Sequence, residues 1–189
     1  MQAPGGPNED PSNDFPHGGW LVPLFDADMG AIMLDIFSRA SAFLIGRGTY
    51  EIFSAHWPKV TDPGDLVAGK LNSLPKFVAS NTRNDFTWNN SRRVADVLGE
   101  LEAIKNQFTG ELQVHGSHGL AQTLIEHKLI EEYRLFICPV ALGQGKRLFH
   151  SFDSPAGLHL TGARSMRSGV IYSVYRPAAE FKTGSFGFE

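Results

Sequence analysis

The sequence of 189 residues has a single cysteine, Cys138, no long apolar run and no excess of positive charge. One cysteine excludes an internal disulfide and a zinc site built from several cysteines. No apolar stretch approaches the roughly 18 residues of a membrane-spanning helix, and no secretory signal pattern opens the chain. With 17 Lys and Arg against 20 Asp and Glu, the charge argues against nucleic-acid binding through a basic field. We therefore expect a cytoplasmic protein that binds neither membrane nor nucleic acid.

The ends of the chain differ in composition from its middle. Residues 1–19 hold four prolines and four glycines, which predicts an N-terminal loop. Residues 177–189 show little periodicity and are predicted to be a tail. The remaining residues, 20–176, are long enough and apolar enough to form a single domain with its own core.

Helix and strand periodicities alternate through this middle part. Apolar residues from Met29 to Ala40 share one face of a predicted helix. Short apolar runs predict strands at 42–45, 76–80, 111–115 and 132–140, and helices are predicted at 49–56, 94–108 and 117–128. Residues 157–166 and 169–176 predict a C-terminal hairpin. The pattern indicates an α/β fold whose sheet is mixed and mostly parallel, with helices on both faces and an antiparallel hairpin at its end.

The first candidate binding loop joins a strand to a helix and consists of Gly46, Arg47, Gly48 and Thr49. Glycine lets a ligand approach the backbone, and the N–H groups of a helix start favour phosphate. Arg47 adds a planar guanidinium that can hold phosphate at two points. Glu51 stands where the dinucleotide fingerprint has its third glycine, so this is a different pattern. The alternative is a tight turn with a solvated arginine.

A second loop of this kind is formed by Gly116, Ser117, His118 and Gly119. Two such loops in one sheet would suit a dinucleotide, whose phosphates need more than one cradle. The alternative is a plain turn with Ser117 as the helix cap. His115 and His118 would need a third ligand to hold a metal ion, and none is found, so no metal site is predicted.

A third loop follows the strand that ends at Pro139 and includes Leu142, Gly143 and Gln144. Ligands of open α/β sheets bind beyond the carboxyl ends of the strands, which makes this loop a candidate. The alternative is a wide connection whose basic residues are solvated.

The segments that carry a family resemblance are FLIGRGTYE (43–51), VASN (78–81), VHGSHG (114–119) and PVALGQGKRLF (139–149). In this order they resemble the dihydrofolate reductase superfamily. The closer match is the branch related to the C-terminal reductase domain of the bifunctional riboflavin-biosynthesis deaminase-reductase. The deaminase half, whose zinc needs a Cys-x-x-Cys pair, is not found in these residues. The resemblance implies a stand-alone reductase-like domain.

The resemblance also implies an NADPH site. It assigns the cofactor phosphates to Gly46, Arg47, Gly48 and Thr49, with Arg47 near the adenosine 2′-phosphate. It assigns the adenosine side to Ser80 and Asn81, with added charge from Arg83, and the pyrophosphate to Gly116, Ser117, His118 and Gly119. The family often has adjacent glycines in the last loop, where this chain has Ser117 and His118. The substrate would meet Leu142, Gly143, Gln144 and Trp20, although Trp20 could equally be a core residue.

Two functions from different classes follow. The first is an NADPH-dependent reductase of a small planar heterocycle, pteridine- or pyrimidinone-like, acting as a homodimer through the edge of its C-terminal hairpin. The alternative is a nucleotide-binding or interaction protein that kept the fold without turnover. Asp26, Asp28 and Asp35 lie in or near the helix that carries an acid in dihydrofolate reductase. None of them is assigned as the proton donor, because helix capping explains such residues equally well.

The start of this chain departs from the pattern of the family that it resembles. Members of this branch usually begin with a central strand and a Leu-Asp-Gly-type turn, whereas Met1 stands directly at the proline-rich loop. A missing central strand leaves buried backbone groups unpaired, at about 1–3 kcal/mol each. We therefore expect that a strand is encoded upstream of Met1, or that residues 1–19 take its place.

Overall fold

The computed structural model describes residues 1–150 and 154–187. Contacts divide the chain into two compact units. The first comprises Met1 and Ala27–Gln122, and the second comprises Gln2–Asp26 and the described part of Thr123–Glu189. None of the helices in these described ranges is long and apolar enough to cross a membrane.

The first unit is built around a parallel sheet. Its helices and strands are α1 (Ala27–Ser38), β1 (Ala40–Gly46), α2 (Arg47–His56), α3 (Leu66–Ser73), β2 (Lys76–Ala79), β3 (Ser91–Val94), α4 (Val97–Lys105), β4 (Glu111–Gln113) and the start of α5 (His118–Glu126). The strand order is β3-β2-β1-β4, and every neighbouring pair is parallel. The parallel α/β part of the predicted fold is therefore confirmed.

The apolar patterns of the sequence form the core of this unit. The predicted face of α1 is buried through Met29, Ile32, Ile36 and Phe37. Strand β1 is buried along most of its length, as a strand with neighbours on both sides should be. The core cluster consists of Phe37, Ala40, Phe43, Ile45, Tyr50, Leu71, Val78 and Trp88.

Two elements of this unit differ from the sequence-based expectation. The predicted helix at 94–108 begins only at Val97, because Ser91–Val94 form strand β3 at the edge of the sheet. This strand has almost no apolar signal, since an edge position tolerates its polar side chains. Helix α3 was not predicted, although Asp65 caps it by accepting a hydrogen bond from the Ala68 N–H at 2.9 Å.

Lys76 opens β2 and is fully buried. Its Nζ donates to the carbonyl oxygens of Leu71 at 2.7 Å and Leu74 at 2.8 Å, and it lies 4.5 Å from the centroid of the Trp88 ring. These contacts place a cation at the C-terminal end of α3, where the helix dipole favours one. Burial lowers the pKa of Lys76 from 10.5 to about 8.

The second unit contains an antiparallel sheet. Its strands are β5 (Tyr133–Ile137), β6 (Leu158–Ser165) and β7 (Ile171–Pro177), in the order β5-β7-β6. The predicted hairpin is confirmed as β6 and β7, and its turn is closed by the Met166 N–H, which donates to the Val170 carbonyl at 2.8 Å. Gly169 in this turn has a φ of +84°, a conformation that favours glycine.

The N-terminal segment of this unit is irregular, as its prolines and glycines predict. It contains two short 3₁₀ turns, Ser12–Asp14 and Val22–Leu24. The buried side chain of Gln2 holds the segment together, because its Nε2 donates to the carbonyls of Asp10 at 3.0 Å and Ser12 at 2.8 Å. In the described part of the chain no strand precedes α1.

Candidate functional site

The candidate nucleotide loops meet at one edge of the parallel sheet. Because the strands are parallel, the segments that follow β1, β2 and β4 all leave from the same edge. Gly46 at the end of β1 pairs in register with Ala79, the residue before Ser80. The edge therefore brings together residues 46–49, 80–81 and 116–119.

Residues 46–49, expected to form a loop, are the end of β1 and the first turn of α2, and hydrogen bonds join them to the loop after β4. The Gly46 N–H donates to Ser117 Oγ at 2.9 Å, and the Ser117 N–H donates to Thr49 Oγ1 at 3.0 Å. Ser117 Oγ in turn donates to the His115 carbonyl at 3.1 Å. The Ser117 hydroxyl thus links the two segments, and its own N–H is already paired within the protein.

The backbone of the second loop has an unusual conformation. Gly116 and Ser117 both have positive φ, +59° and +55°. Serine rarely adopts this region, so Ser117 lies at a position where a glycine would be unstrained. His115 lies just beyond β4 instead of inside it, and its ring stacks on Phe37 with centroids 4.4 Å apart.

Two glycines at this edge are not required by the protein itself. Gly48 lies in the first turn of α2 and Gly119 in the first turn of α5, and neither has a positive φ. Apart from its chain neighbours and the backbone of its own helix, a Cβ at either position would meet no atom within 4 Å. Alanine would be the better helix former at both positions by up to about 1 kcal/mol. Neither backbone conformation nor packing requires glycine here, so both positions leave room for a ligand to approach the backbone.

Arg47, at the start of α2, and Arg83, in the loop after β2, converge on Glu51. The Nε of Arg47 lies 3.9 Å, and the Nη1 of Arg83 lies 3.5 Å, from the same carboxylate oxygen of Glu51. Arg83 is the less exposed arginine, and its guanidinium lies 5.4 Å from the Tyr50 ring centroid. Two guanidinium groups thus approach one point where an anionic oxygen is accommodated.

The loop after β2 is held by an arginine that sequence reasoning did not single out. Arg93 on β3 donates from Nε to the Ser80 carbonyl and from Nη2 to the Asn81 carbonyl, both at 2.8 Å. A further guanidinium nitrogen donates to Asn84 Oδ1 at 2.5 Å. Ser80 Oγ accepts from the Arg83 N–H at 3.0 Å, which fixes the base of that side chain. The arginine-rich edge strand was the available signal.

The candidate substrate residues belong to the second unit. Trp20 is half-buried, and its Nε1 donates to the Gln2 carbonyl at 2.8 Å. Leu142 is half-buried, while Gly143 and Gln144 are exposed, and Gly143 has a φ of +74°.

The loop that holds these residues is tied to the N-terminal segment of its own unit. Lys146 Nζ lies 2.5 Å from Asp10 Oδ2, and the Lys146 N–H donates to Gln2 Oε1 at 3.3 Å. Partial burial opposes ionisation of Asp10, but hydrogen bonds from Lys146 and Ser12 outweigh it and lower the pKa of Asp10 below its ordinary value. The carboxylate is therefore charged at neutral pH, and the ion pair holds residues 142–149 to the segment.

The aspartates near α1 have structural contacts. Asp26 Oδ2 accepts a hydrogen bond from the Ser168 N–H in the hairpin turn at 3.2 Å. Asp35 is exposed and forms an ion pair with Arg39 at 2.9 Å, one helical turn away. Asp28 lies in the first turn of α1, where a carboxylate stabilises the helix dipole. No proton donor is assigned among them.

The described residues contain no metal-ligand cluster, and their cleft lies apart from the predicted binding residues. Within residues 1–150 and 154–187, no three His, Cys, Asp or Glu side chains are grouped so that they could hold a metal ion. A cleft of about 620 Å³ in the first unit is lined by none of the predicted binding residues; its lining is Ser54, Pro58, Val60, Thr61, Asn72, Thr87, Trp88 and Asn89.

Comparison with solved structures identifies the fold. A putative riboflavin biosynthesis protein from Shewanella sp. PV-4 is 21% identical, with a TM-score of 0.67 over 85% of this chain and 87% of that one. A pyrimidine reductase-like protein from Corynebacterium diphtheriae is 14% identical, with a TM-score of 0.50 over 85% of both chains. Dihydrofolate reductase from Enterococcus faecalis, complexed with NADP(H) and RAB-propyl, is 13% identical, with a TM-score of 0.54 over 78% of this chain and 81% of that one. The fold is that of dihydrofolate reductase.

Sequence comparison identifies the family. The uncharacterized protein YyaP of Bacillus subtilis (strain 168) is 32% identical over 155 residues, which are 80% of this chain and 81% of the relative. The sequence profile described as RibD C-terminal domain matches residues 1–172. That match includes every loop at the carboxyl edge of the parallel sheet, and with it the chain belongs to the RibD C-terminal domain family.

Proposed function

We propose that this protein is an NADPH-dependent reductase of a small planar heterocycle of the pteridine or pyrimidinone type. Membership of the RibD C-terminal domain family supports a reductase role. Two structures of the same fold bear on the finer assignment: one is described as pyrimidine reductase-like, and the other is a dihydrofolate reductase complexed with NADP(H).

The observation that carries the proposal is the pair of glycines at the starts of α2 and α5. Gly48 and Gly119 both leave open space where a side chain would otherwise stand. They lie in the first turns of two helices whose starts are held together by hydrogen bonds through Ser117. The starts of α2 and α5 also supply backbone N–H groups and the positive ends of two helix dipoles, which suit cofactor phosphates. The residues present therefore fit a dinucleotide.

The charges at the same edge support a phosphorylated cofactor. Arg47 and Arg83 approach a common point beside Ser80 and Asn81, where they would hold the 2′-phosphate of NADPH. NADH lacks this phosphate and would lose the charge-assisted contacts, worth roughly 1.5–3 kcal/mol each. The preference for NADPH follows from this difference.

The protein's own part in the reaction is binding and orientation. NADPH, when bound, supplies the hydride. The loops at 46–49, 80–81 and 116–119 would hold its phosphates and adenosine, while Trp20 and residues 142–144 would contact the substrate. Lys146 keeps the latter loop in place through Asp10.

A second candidate is a nucleotide-binding protein of the same fold without turnover. The observation that favours it is the structural use of the nearby carboxylates, since Asp26 binds the Ser168 N–H and Asp35 pairs with Arg39. Under this hypothesis NADPH would bind but would not be oxidised in the presence of any heterocycle.

The proposal includes a homodimeric assembly and a cytoplasmic location. Strand β6 is an edge of the antiparallel sheet, and Leu160 on it is exposed, so a second copy of the chain could pair there to form a homodimer. Analytical ultracentrifugation at several concentrations tests this, and a monomer at every concentration would overturn it. A cytoplasmic location would supply both the reduced cofactor and a reducing environment for Cys138.

Turnover separates the reductase from the binding protein. The purified protein is mixed with NADPH and a panel of pteridines and pyrimidinones, and loss of the reduced-nicotinamide absorbance is followed. The reductase proposal expects consumption with at least one of these heterocycles, and Arg47→Ala should raise KM for NADPH more than it lowers kcat. Tight NADPH binding without consumption across the panel would favour the second candidate.

A further inference from the structure

Glu51 occupies the point where Arg47 and Arg83 meet at the carboxyl edge of the parallel sheet. One of its carboxylate oxygens lies 3.5 Å from Arg83 Nη1 and 3.9 Å from Arg47 Nε. The helix spacing explains the contact with Arg47, because Glu51 follows Arg47 by four residues on α2. The contact with Arg83 crosses from α2 to the loop after β2.

Arg83 is held in this position independently of Glu51. Its backbone N–H donates to Ser80 Oγ at 3.0 Å, and its Nε donates to the Asp85 carbonyl at 2.8 Å. The guanidinium also lies 5.4 Å from the ring centroid of Tyr50 and 5.8 Å from that of Phe86. The Nε also lies 3.7 Å from the carboxylate of exposed Asp85, whereas Glu51 contacts Nη1, so removal of the Glu51 charge should leave Nη1 available to another anion.

The contacts of Glu51 are weak enough to be displaced. Both distances exceed that of a direct charge-assisted hydrogen bond, and the Glu51 and Arg47 side chains are 47% and 56% exposed. Exposed ion pairs of this kind are worth about 0–1 kcal/mol. A phosphate group carries more charge and more acceptor oxygens than a carboxylate, so it would take the arginines from Glu51. The carboxylate would then remain nearby as a like charge.

We propose that Glu51 is a specificity-determining residue that competes with the 2′-phosphate of the cofactor for Arg47 and Arg83. This inference rests on the proposed NADPH site. The carboxylate reduces the advantage of the phosphorylated cofactor over the unphosphorylated one, because it repels the phosphate and has no such effect on a ribose hydroxyl. A glutamate can also accept a hydrogen bond from a ribose 2′-hydroxyl, which further reduces the difference in affinity between the two cofactors. Glu51 thus sets how strongly the protein discriminates between NADPH and NADH.

The test uses two small nucleotides that differ in the 2′-phosphate alone. Adenosine 2′,5′-bisphosphate and adenosine 5′-monophosphate are titrated calorimetrically at low salt into the wild type and Glu51→Gln. Glu102→Gln, which removes the same charge from an exposed position on α4, is the matched control. Thermal melts of all three proteins check folding.

We expect Glu51→Gln to bind the bisphosphate about three- to tenfold more tightly than the wild type. Binding of the monophosphate should be unchanged or weaker, and Glu102→Gln should match the wild type for both. Unchanged or weaker bisphosphate binding in Glu51→Gln, with a wild type that binds it, would overturn the role of Glu51 and leave the nucleotide site standing. If neither nucleotide binds any of the proteins, the proposed site fails and the inference fails with it.

Discussion

Replacement of Gly119 by alanine tests whether this glycine is needed for cofactor binding or for the stability of the fold. A Cβ at this position meets no atom within 4 Å, and the residue lies inside α5. Alanine should therefore stabilise the protein without cofactor by up to about 1 kcal/mol, because it favours the helix. For a domain of this size that is a rise of about 2–4 °C in Tm.

The same methyl group should hinder the cofactor. If the pyrophosphate approaches the backbone at Gly119, the added carbon stands in its path, and NADPH binding should weaken about tenfold or more, which is about 1.4 kcal/mol. The prediction is an opposite change in two quantities, a higher Tm without ligand and a higher Kd for NADPH. Thermal unfolding and fluorescence titration of bound NADPH measure them.

Gly69 offers the matched control. It lies in α3, away from every candidate loop along the chain, and a Cβ there also meets no atom within 4 Å. Gly69→Ala should raise Tm similarly and leave NADPH binding unchanged. Gly116 would be a poorer choice, because its φ of +59° makes any side chain strained. If Gly119→Ala binds NADPH as the wild type does, the glycine serves no ligand and the reasoning is refuted.

Three further predictions concern charged side chains. Arg47→Ala should weaken NADPH about tenfold or more and leave NADH nearly unchanged, whereas equal losses in the two titrations would contradict the 2′-phosphate assignment. Burial lowers the pKa of Lys76 from 10.5 to about 8, so between these pH values the unfolded chain binds the extra proton and the free energy of unfolding rises with pH, by up to about 3 kcal/mol. Denaturant titrations across this range should show that rise in the wild type and a smaller one in Lys76→Met; identical pH slopes would be the contrary result. Hydrogen bonds from Lys146 and Ser12 lower the pKa of Asp10 despite its partial burial, so the stabilisation of about 1 kcal/mol from this pair is lost as pH falls through that pKa. Asp10→Asn should remove this acid sensitivity from the Tm-against-pH curve, and a curve unchanged in shape would argue against the ion pair.

The parallel sheet and the hairpin were predictable because their signals are local. Strand β1 is a continuous apolar run followed by a glycine loop, and β6 and β7 flank a two-residue turn signal. The helical face of α1 buries the residues that its spacing selects. Each of these elements is recognisable without knowledge of its neighbours.

Other elements depend on partners that lie far away in the sequence. Strand β3 has the sequence Ser-Arg-Arg-Val, and its charged side chains are accommodated because it lies at the edge of the sheet. There Arg92 lies over the Phe77 ring, and Arg93 holds the loop after β2. Lys76 looks like an exposed strand end, but the carbonyls of α3 allow its burial.

The candidate site likewise depends in part on contacts between residues that are distant in the sequence. The positions of the two glycine loops and of Arg47 followed from strand-to-helix spacing. The bridge from Gly46 through Ser117 to Thr49 links residues about 70 positions apart and requires the β1–β4 pairing. The convergence of Arg83 on Glu51 likewise requires β2 to lie beside β1.

The proposed function depends on this edge of the sheet binding NADPH in preference to NADH. Calorimetric titration of each cofactor into the wild-type protein, at the same salt concentration, tests it most directly. We predict saturable binding of NADPH with a Kd at least about tenfold below that of NADH. Equal affinities for the two cofactors, or no binding of either, would contradict the account.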